Sequence, residues 1–90
     1  MVWQIEFDPQ TEKDFKKIDA PSRKRIFKFL RERIALLENP RSIGEPLSGK
    51  QFGRFWKYRV GDYRLICSIE DKKITIRVIK IGHRQEIYKR

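Results

Sequence analysis

Hydrophobic and polar residues alternate from Val2 to Phe7, with Trp3, Ile5 and Phe7 on one side and Gln4 and Glu6 on the other, which predicts a half-buried strand. Asp8-Pro9 then reads as a helix cap followed by a first-turn proline. Phe15 and Ile18 supply the apolar contacts of a short helix ending near Asp19. From Pro21 to Glu38 the apolar positions Ile26, Phe27, Leu30, Ile34 and Leu37 recur at helical spacing among basic residues, and Asn39-Pro40 stops the helix. Prolines and glycines make Arg41 to Gly53 a loop, after which the period falls to two. Three strands follow, Phe55 to Val60, Tyr63 to Ile69 and Ile74 to Ile81, joined at Gly61-Asp62 and Asp71-Lys72.

Glycine at the first central position favours a two-residue turn, so Val60 pairs with Tyr63, Arg59 with Arg64, Tyr58 with Leu65 and Lys57 with Ile66. A second two-residue turn pairs Ile69 with Ile74, Cys67 with Ile76 and Leu65 with Val78, all matched in polarity. Trp56, Tyr58, Leu65, Cys67, Ile69, Ile74, Ile76 and Val78 then share one face, covered by the two helices. Lys57, Arg59, Arg64 and Arg77 share the other. The fold expected is α+β: one strand, two helices and an antiparallel three-stranded meander, with the first strand joining the sheet edge.

Ninety residues make one domain, 1–90, with no room for a dinucleotide fold or a large internal pocket. The 22 Lys and Arg outnumber the 12 Asp and Glu by ten, a charge that draws polyanions such as nucleic acid or acidic protein. No apolar run approaches the ~18 residues of a membrane span, and Met1 to Phe7 lacks the apolar stretch of a secretory signal, so a cytoplasmic protein without a membrane partner is expected. Cys67 is a single cysteine. With the single His83 it is too little for zinc, and no metal or small-molecule cofactor is expected.

The pairing of Arg59 with Arg64 sets like charges across a strand pair, at a cost of about 0.2 to 1 kcal/mol, and a local rule broken in this way is a mark of function. With Lys57 and Arg77 it makes a cationic face able to meet a phosphate backbone; a merely solvated face on a basic protein accounts for the same cluster without function. In Gly82-His83-Arg84-Gln85-Glu86-Ile87-Tyr88, His83 has a reference pKa of ~6.5 and is suited to donating a proton. Arg84 is suited to neutralising a pentavalent phosphate, and Tyr88 to stacking on a base or orienting a hydroxyl. Each also fits a plain surface or rim role, while Cys67 belongs to the core.

Nearly the whole chain resembles the RelE/ParE superfamily of bacterial and archaeal toxins. The resemblance rests on the element order, on Leu47-Ser48-Gly49, on the run from Trp56-Lys57-Tyr58-Arg59-Val60 through Gly61-Asp62-Tyr63-Arg64-Leu65-Ile66, and on the terminal Gly82 to Tyr88 segment. A RelE-type member is implied to be a toxin silenced by a cognate antitoxin. It would cut messenger RNA in the decoding site of the ribosome, by attack of the 2′-hydroxyl on the adjacent phosphate and without metal. The resemblance carries the catalytic set onto Lys57, Arg59, Arg64, His83, Arg84 and Tyr88. Arg77 of the cationic face, with Lys50 and Arg54, is expected to add RNA contacts. RelE-type members often have lysine at the position of Arg59, and arginine is a poor proton carrier. His83 is therefore expected to act as the acid, with Lys57 or Tyr88 assisting the base step. The ParE branch, which inhibits DNA gyrase, and a nonenzymatic RNA-binding module are the alternatives.

Overall fold

A computed structural model of the chain describes residues 2–47 and 55–84. Strand β1 (Gln4–Phe7) leads into helix α1 (Gln10–Lys16), and Asp8 prepares that helix in two ways. Its Oδ1 accepts from the Gln10 N–H at 3.0 Å, while its carbonyl accepts from both the N–H and the hydroxyl of Thr11. Asp19 caps helix α2 (Ala20–Glu32) by accepting from the Ser22 N–H at 3.1 Å, with Pro21 in the first turn where its missing N–H costs nothing. Phe15 of α1 stacks on Phe27 of α2 at 4.9 Å, and both rings meet Phe7 edge-on, which locks the two helices to the sheet.

The second helix is shorter than the sequence predicts. It ends at Glu32, and Ile34–Leu36 continue as a 3-10 turn. The tighter winding turns both Ile34 and Ala35 into the core while Leu36 is left 59% exposed, and the Ala35 carbonyl accepts from the Trp3 N–H at 2.8 Å. Asn39-Pro40 thus opens another 3-10 turn, Pro40–Ser42, rather than ending the helix.

Among the described residues five strands, β1, β2 (Glu45–Pro46), β3 (Phe55–Val60), β4 (Tyr63–Glu70) and β5 (Thr75–His83), form one sheet in the order β1-β5-β4-β3-β2, with β1 parallel to β5 at one edge and the other neighbours antiparallel. The expected loop before the meander contains the extra strand β2 (Glu45–Pro46), where proline is tolerated because the strand lies on an edge. Strands β3 (Phe55–Val60) and β4 (Tyr63–Glu70) pair in the predicted register, including Arg59 opposite Arg64, through a turn in which Gly61 takes φ +58°.

The second hairpin differs. Asp71–Lys73 form a 3-10 turn and Ile74 takes a left-handed φ of 48°, so β5 (Thr75–His83) begins one residue late and Ile69 pairs with Ile76, Cys67 with Val78 and Leu65 with Ile81. A strained branched residue persists there because its backbone is used on both sides: the Ile74 N–H donates to Asp71, and its carbonyl accepts from Gln4. The register also slips by one residue between Ile66 and Cys67, leaving Ile79 as a bulge, and the carboxylate of Asp14 on α1 accepts the Ile81 N–H at 3.0 Å.

The core lies between helices and sheet. Ile26, Leu30 and Ile34 pack against Tyr58, Leu65, Cys67, Ile76, Val78 and Ile81, all essentially inaccessible to water. Burial pushes the Cys67 thiol far above its ordinary pKa, so it is an apolar filler. No helix among the described residues is long and apolar enough to cross a membrane.

Candidate functional site

The sheet face away from the helices carries a cleft of about 270 Å³ lined by Gly44, Glu45, Lys57, Tyr58, Arg59 and Arg64. Its outer wall is the segment before β2, fastened to β3 from beneath. The Tyr58 hydroxyl donates to the Pro40 carbonyl at 2.6 Å and the Trp56 Nε1 to the Ile43 carbonyl at 2.7 Å. Gly44 is required at the bend, because it adopts φ +79° and a Cβ there would stand 2.6 Å from the Lys57 carbonyl oxygen and 2.7 Å from the Trp56 Nε1. Arg41 secures the same segment from the other end by a two-pronged pair with Asp71, at 3.0 and 2.9 Å.

This fastening sets Glu45 in register with Lys57, and the two form an ion pair of 2.8 Å. The Lys57 side chain is only 12% exposed. Its hydrogen bond and charge hold the Glu45 carboxyl below the usual range, with a smaller contribution from Arg64, so the cleft contains a carboxylate at neutral pH. Arg59 stands opposite Arg64 on the next strand, exposed and without a carboxylate partner among the described residues. The Arg64 Nη1 donates to the carbonyls of Gly61 and Tyr63, both at 3.1 Å, so this cation is held at the hairpin turn. One anionic group beside three cations gives the cleft a net pull on phosphate and a proton acceptor within it.

Lys57, Arg59 and Arg64 are thus gathered in one place, and Arg77 and His83 lie away from it. Arg77 lies on β5 opposite Ser68, which is four positions along β4 from Arg64, an offset of about 13 Å along the strand at a rise of ~3.3 Å. It is held by Glu6 at 3.5 Å and Asp8 at 3.3 Å, so its charge is answered within the protein. His83 falls on the opposite side of the sheet from Arg64. An unbroken alternation from Arg77 places residue 83 on the basic face, but the bulge at Ile79 reverses the parity, and His83 pairs with Tyr63 in edge-on ring contact at 5.9 Å. Arg84 is exposed at the hairpin tip, its N–H donating to the Asp62 carbonyl at 2.8 Å. Lys50, Arg54 and Tyr88 lie outside the described residues.

Glu45 and Gly44 are the site residues that sequence reasoning missed. Two residues are too few for any period to reveal β2. The available signal was a glycine, an acid and then a proline just before a cationic strand.

A family profile described as the ParE toxin of the type II toxin-antitoxin system parDE matches residues 5–88. The mRNA interferase toxin RelE of Escherichia coli is 31% identical over 90 residues, covering 98% of this chain and 92% of that protein. Among solved structures, the toxin-antitoxin complex RelBE2 of Mycobacterium tuberculosis has the same fold, with a TM-score of 0.82 over 93% of each chain at 21% identity. A mutant E. coli RelE bound to a peptide of the antitoxin RelBc aligns over 100% of this chain and 98% of its own, with a TM-score of 0.72 and 26% identity. The family profile, the full-length relative and the shared sheet and helix arrangement agree, and the chain belongs to the RelE/ParE superfamily as a RelE-like toxin of a type II toxin-antitoxin system.

Proposed function

We propose that this toxin is a metal-independent endoribonuclease that cuts messenger RNA on the ribosome, in the cytoplasm, and is silenced by a cognate antitoxin protein. The observation carrying this reading is the cleft in which Arg59 and Arg64 face each other beside the Glu45–Lys57 ion pair. Two like charges on neighbouring strands gain nothing from proximity until an anion lies between them. A phosphate that gains charge during the reaction binds such a pair more strongly in the transition state than before it.

Glu45 is the carboxylate positioned to take the proton of the attacking 2′-hydroxyl, which forms the bond to phosphorus as the bond to the 5′-oxygen breaks. In-line displacement puts the attacking and leaving oxygens on opposite sides of phosphorus, so Glu45 and Lys57, 2.8 Å apart, serve the same end. The departing oxygen is left to the segment that begins at Arg84 on the hairpin tip, in which Tyr88 is the proton-bearing candidate. His83 is less suited, because it shares the face of Tyr63. The open cleft holds a phosphate without fixing the sugar beside it, and the ribosome supplies that alignment.

The name of the E. coli relative, an mRNA interferase, supports the reading, and the solved toxin-antitoxin complexes support a protein antitoxin. The ParE label of the family profile favours gyrase inhibition as a second reading. Incubating the chain with programmed ribosomes, with free message and with gyrase separates them. Cleavage of ribosome-bound message alone is expected. Inhibition of supercoiling without cleavage would transfer the chain to the second reading, and efficient cutting of free RNA would remove the ribosome from the first.

A further inference from the structure

The outer face of α2 carries Lys24, Lys28 and Arg31, one helical turn apart, with Arg25 on the flank. All four are exposed, and among the described residues none has a carboxylate within ion-pairing distance. Arg31 lies over the Phe27 ring at 5.8 Å, which holds it along the helix. The Arg25 guanidinium reaches the β3–β4 turn, where its Nη1 is 3.2 Å from the position a Cβ on Gly61 would take. The carbonyl of that same glycine accepts from Arg64. Positive charge therefore runs from the helix, around the hairpin tip, into the cleft.

We infer that the α2 stripe is a second phosphate-binding surface, which seats the backbone of a double-stranded RNA segment while the cleft engages a single strand. The choice of RNA rests on the function proposed above; the duplex geometry rests on the helix. Lys24 to Arg31 spans seven residues, about 10 Å at 1.5 Å per residue, and that length of a duplex presents about six phosphates at one charge per ~1.7 Å of axis. A row of cations whose backbone is held on a helix suits a row of phosphates that is also held, since only the side chains need ordering on contact.

An acidic protein segment fits less well. Stable protein contacts centre on apolar anchors, and the exposed large hydrophobic residues described, Val2 and Leu36, both lie off α2. Contacts to a nucleic-acid backbone need only charge and hydrogen-bond donors.

The test compares the native chain with a Lys24→Gln/Lys28→Gln/Arg31→Gln variant, measuring binding to an RNA duplex of about 16 base pairs across a salt series. Glutamine keeps helix propensity while removing charge. The expected result is weaker binding and a plot of log affinity against log salt that is shallower by about 2 to 3, near 0.9 per lost phosphate contact. An Arg59→Gln variant should keep the duplex slope within about one. Unchanged affinity and slope in the triple variant would overturn the inference, as would loss of duplex binding that follows Arg59 alone. So would a triple variant that loses only a polyglutamate peptide, which would assign the stripe to an acidic protein. If the triple variant unfolds, Lys28→Gln alone serves, with an expected slope change of about one. Duplex binding is read without ribosomes or cleavage, so a native chain that cuts nothing would fail the ribonuclease reading and leave this one standing.

Discussion

The two faces of the sheet are built from alternate residues of the same strands and are held by different forces. On β4, Leu65 and Cys67 point to the helices and are fully buried, while Arg64 and Ser68 point away. The covered face is apolar from Ile5 on β1 to Tyr58 on β3, and its contacts account for folding. The open face contains Lys57, Arg59 and Arg64, and there local stability is spent on holding like charges together. The difference separates stability from chemistry along a single strand, and neighbouring residues should report on one or the other.

The largest effect should come from the carboxylate of the cleft. Glu45→Gln should lower the single-turnover cleavage rate on programmed ribosomes by about 100- to 10,000-fold, the usual cost of losing a general base. His83→Ala, on the covered side, should change it less than tenfold. The opposite ranking would place the chemistry at the end of β5 and break the comparison.

Arg64→Ala should reduce the same rate by about 100- to 1,000-fold, as losing one donor to a developing oxyanion does. The substitution removes two hydrogen bonds to turn carbonyls, but it also relieves the repulsion from Arg59. The net loss should be about 1 kcal/mol or less, a melting shift under ~8 °C. A much larger shift would make Arg64 chiefly structural.

Its neighbour should behave in reverse. Leu65→Ala empties a fully buried position and should cost about 2 to 5 kcal/mol, lowering the melting temperature by at least ~10 °C. Protein still folded at low temperature should cut at a near-native rate, which a single-turnover measurement below the transition checks.

Gly44→Ala links the faces, since the added methyl group meets the Lys57 carbonyl in a backbone conformation that disfavours alanine. A cost of about 1 to 3 kcal/mol is expected, together with slower cleavage as Glu45 is displaced. Native melting and native rate together would show that the wall can yield.

The smallest effect concerns acid. Asp8 has its carboxyl held below the ordinary 3.8 by the Gln10 N–H first and by Arg77 after it. A depressed pKa stabilises the fold above the unfolded value, and that contribution fades as pH falls below about 3.8 through the folded value. Asp8→Asn keeps the acceptor for Gln10 and loses the charge toward Arg77, so native chain and variant should differ slightly in melting temperature at pH 7 and converge in acid, once the native carboxylate is protonated. A gap that persists in acid would remove the charge from the account.

Much of this architecture was legible in residue order. The alternation around Gly61-Asp62 set the pairing of β3 with β4, because a one-residue slip there would bury Arg59 and Arg64. The same constraint gathers Lys57, Arg59 and Arg64 on one face. The second hairpin was less constrained. Ile69, Ile74, Ile76 and Val78 are all apolar, so several registers match in polarity, and the four-residue connection through Ile74 was not distinguished from a tight turn.

The sequence by itself determined the first strand, the two helices and the three meander strands to within a few residues, the covered and open faces of the first hairpin, and the opposed arginines, since these depend on neighbours a few residues apart and on local periods. Tertiary structure alone decided the rest. Asp14 meets Ile81 across 67 residues and supports a bulge that carries His83 away from the cations. Tyr58 and Trp56 hold the segment from Pro40 to Gly44 so that Glu45 reaches Lys57. Both depend on contacts between parts of the chain far apart in sequence, and no local period records such contacts, because their energy exists only once the core has brought the parts together.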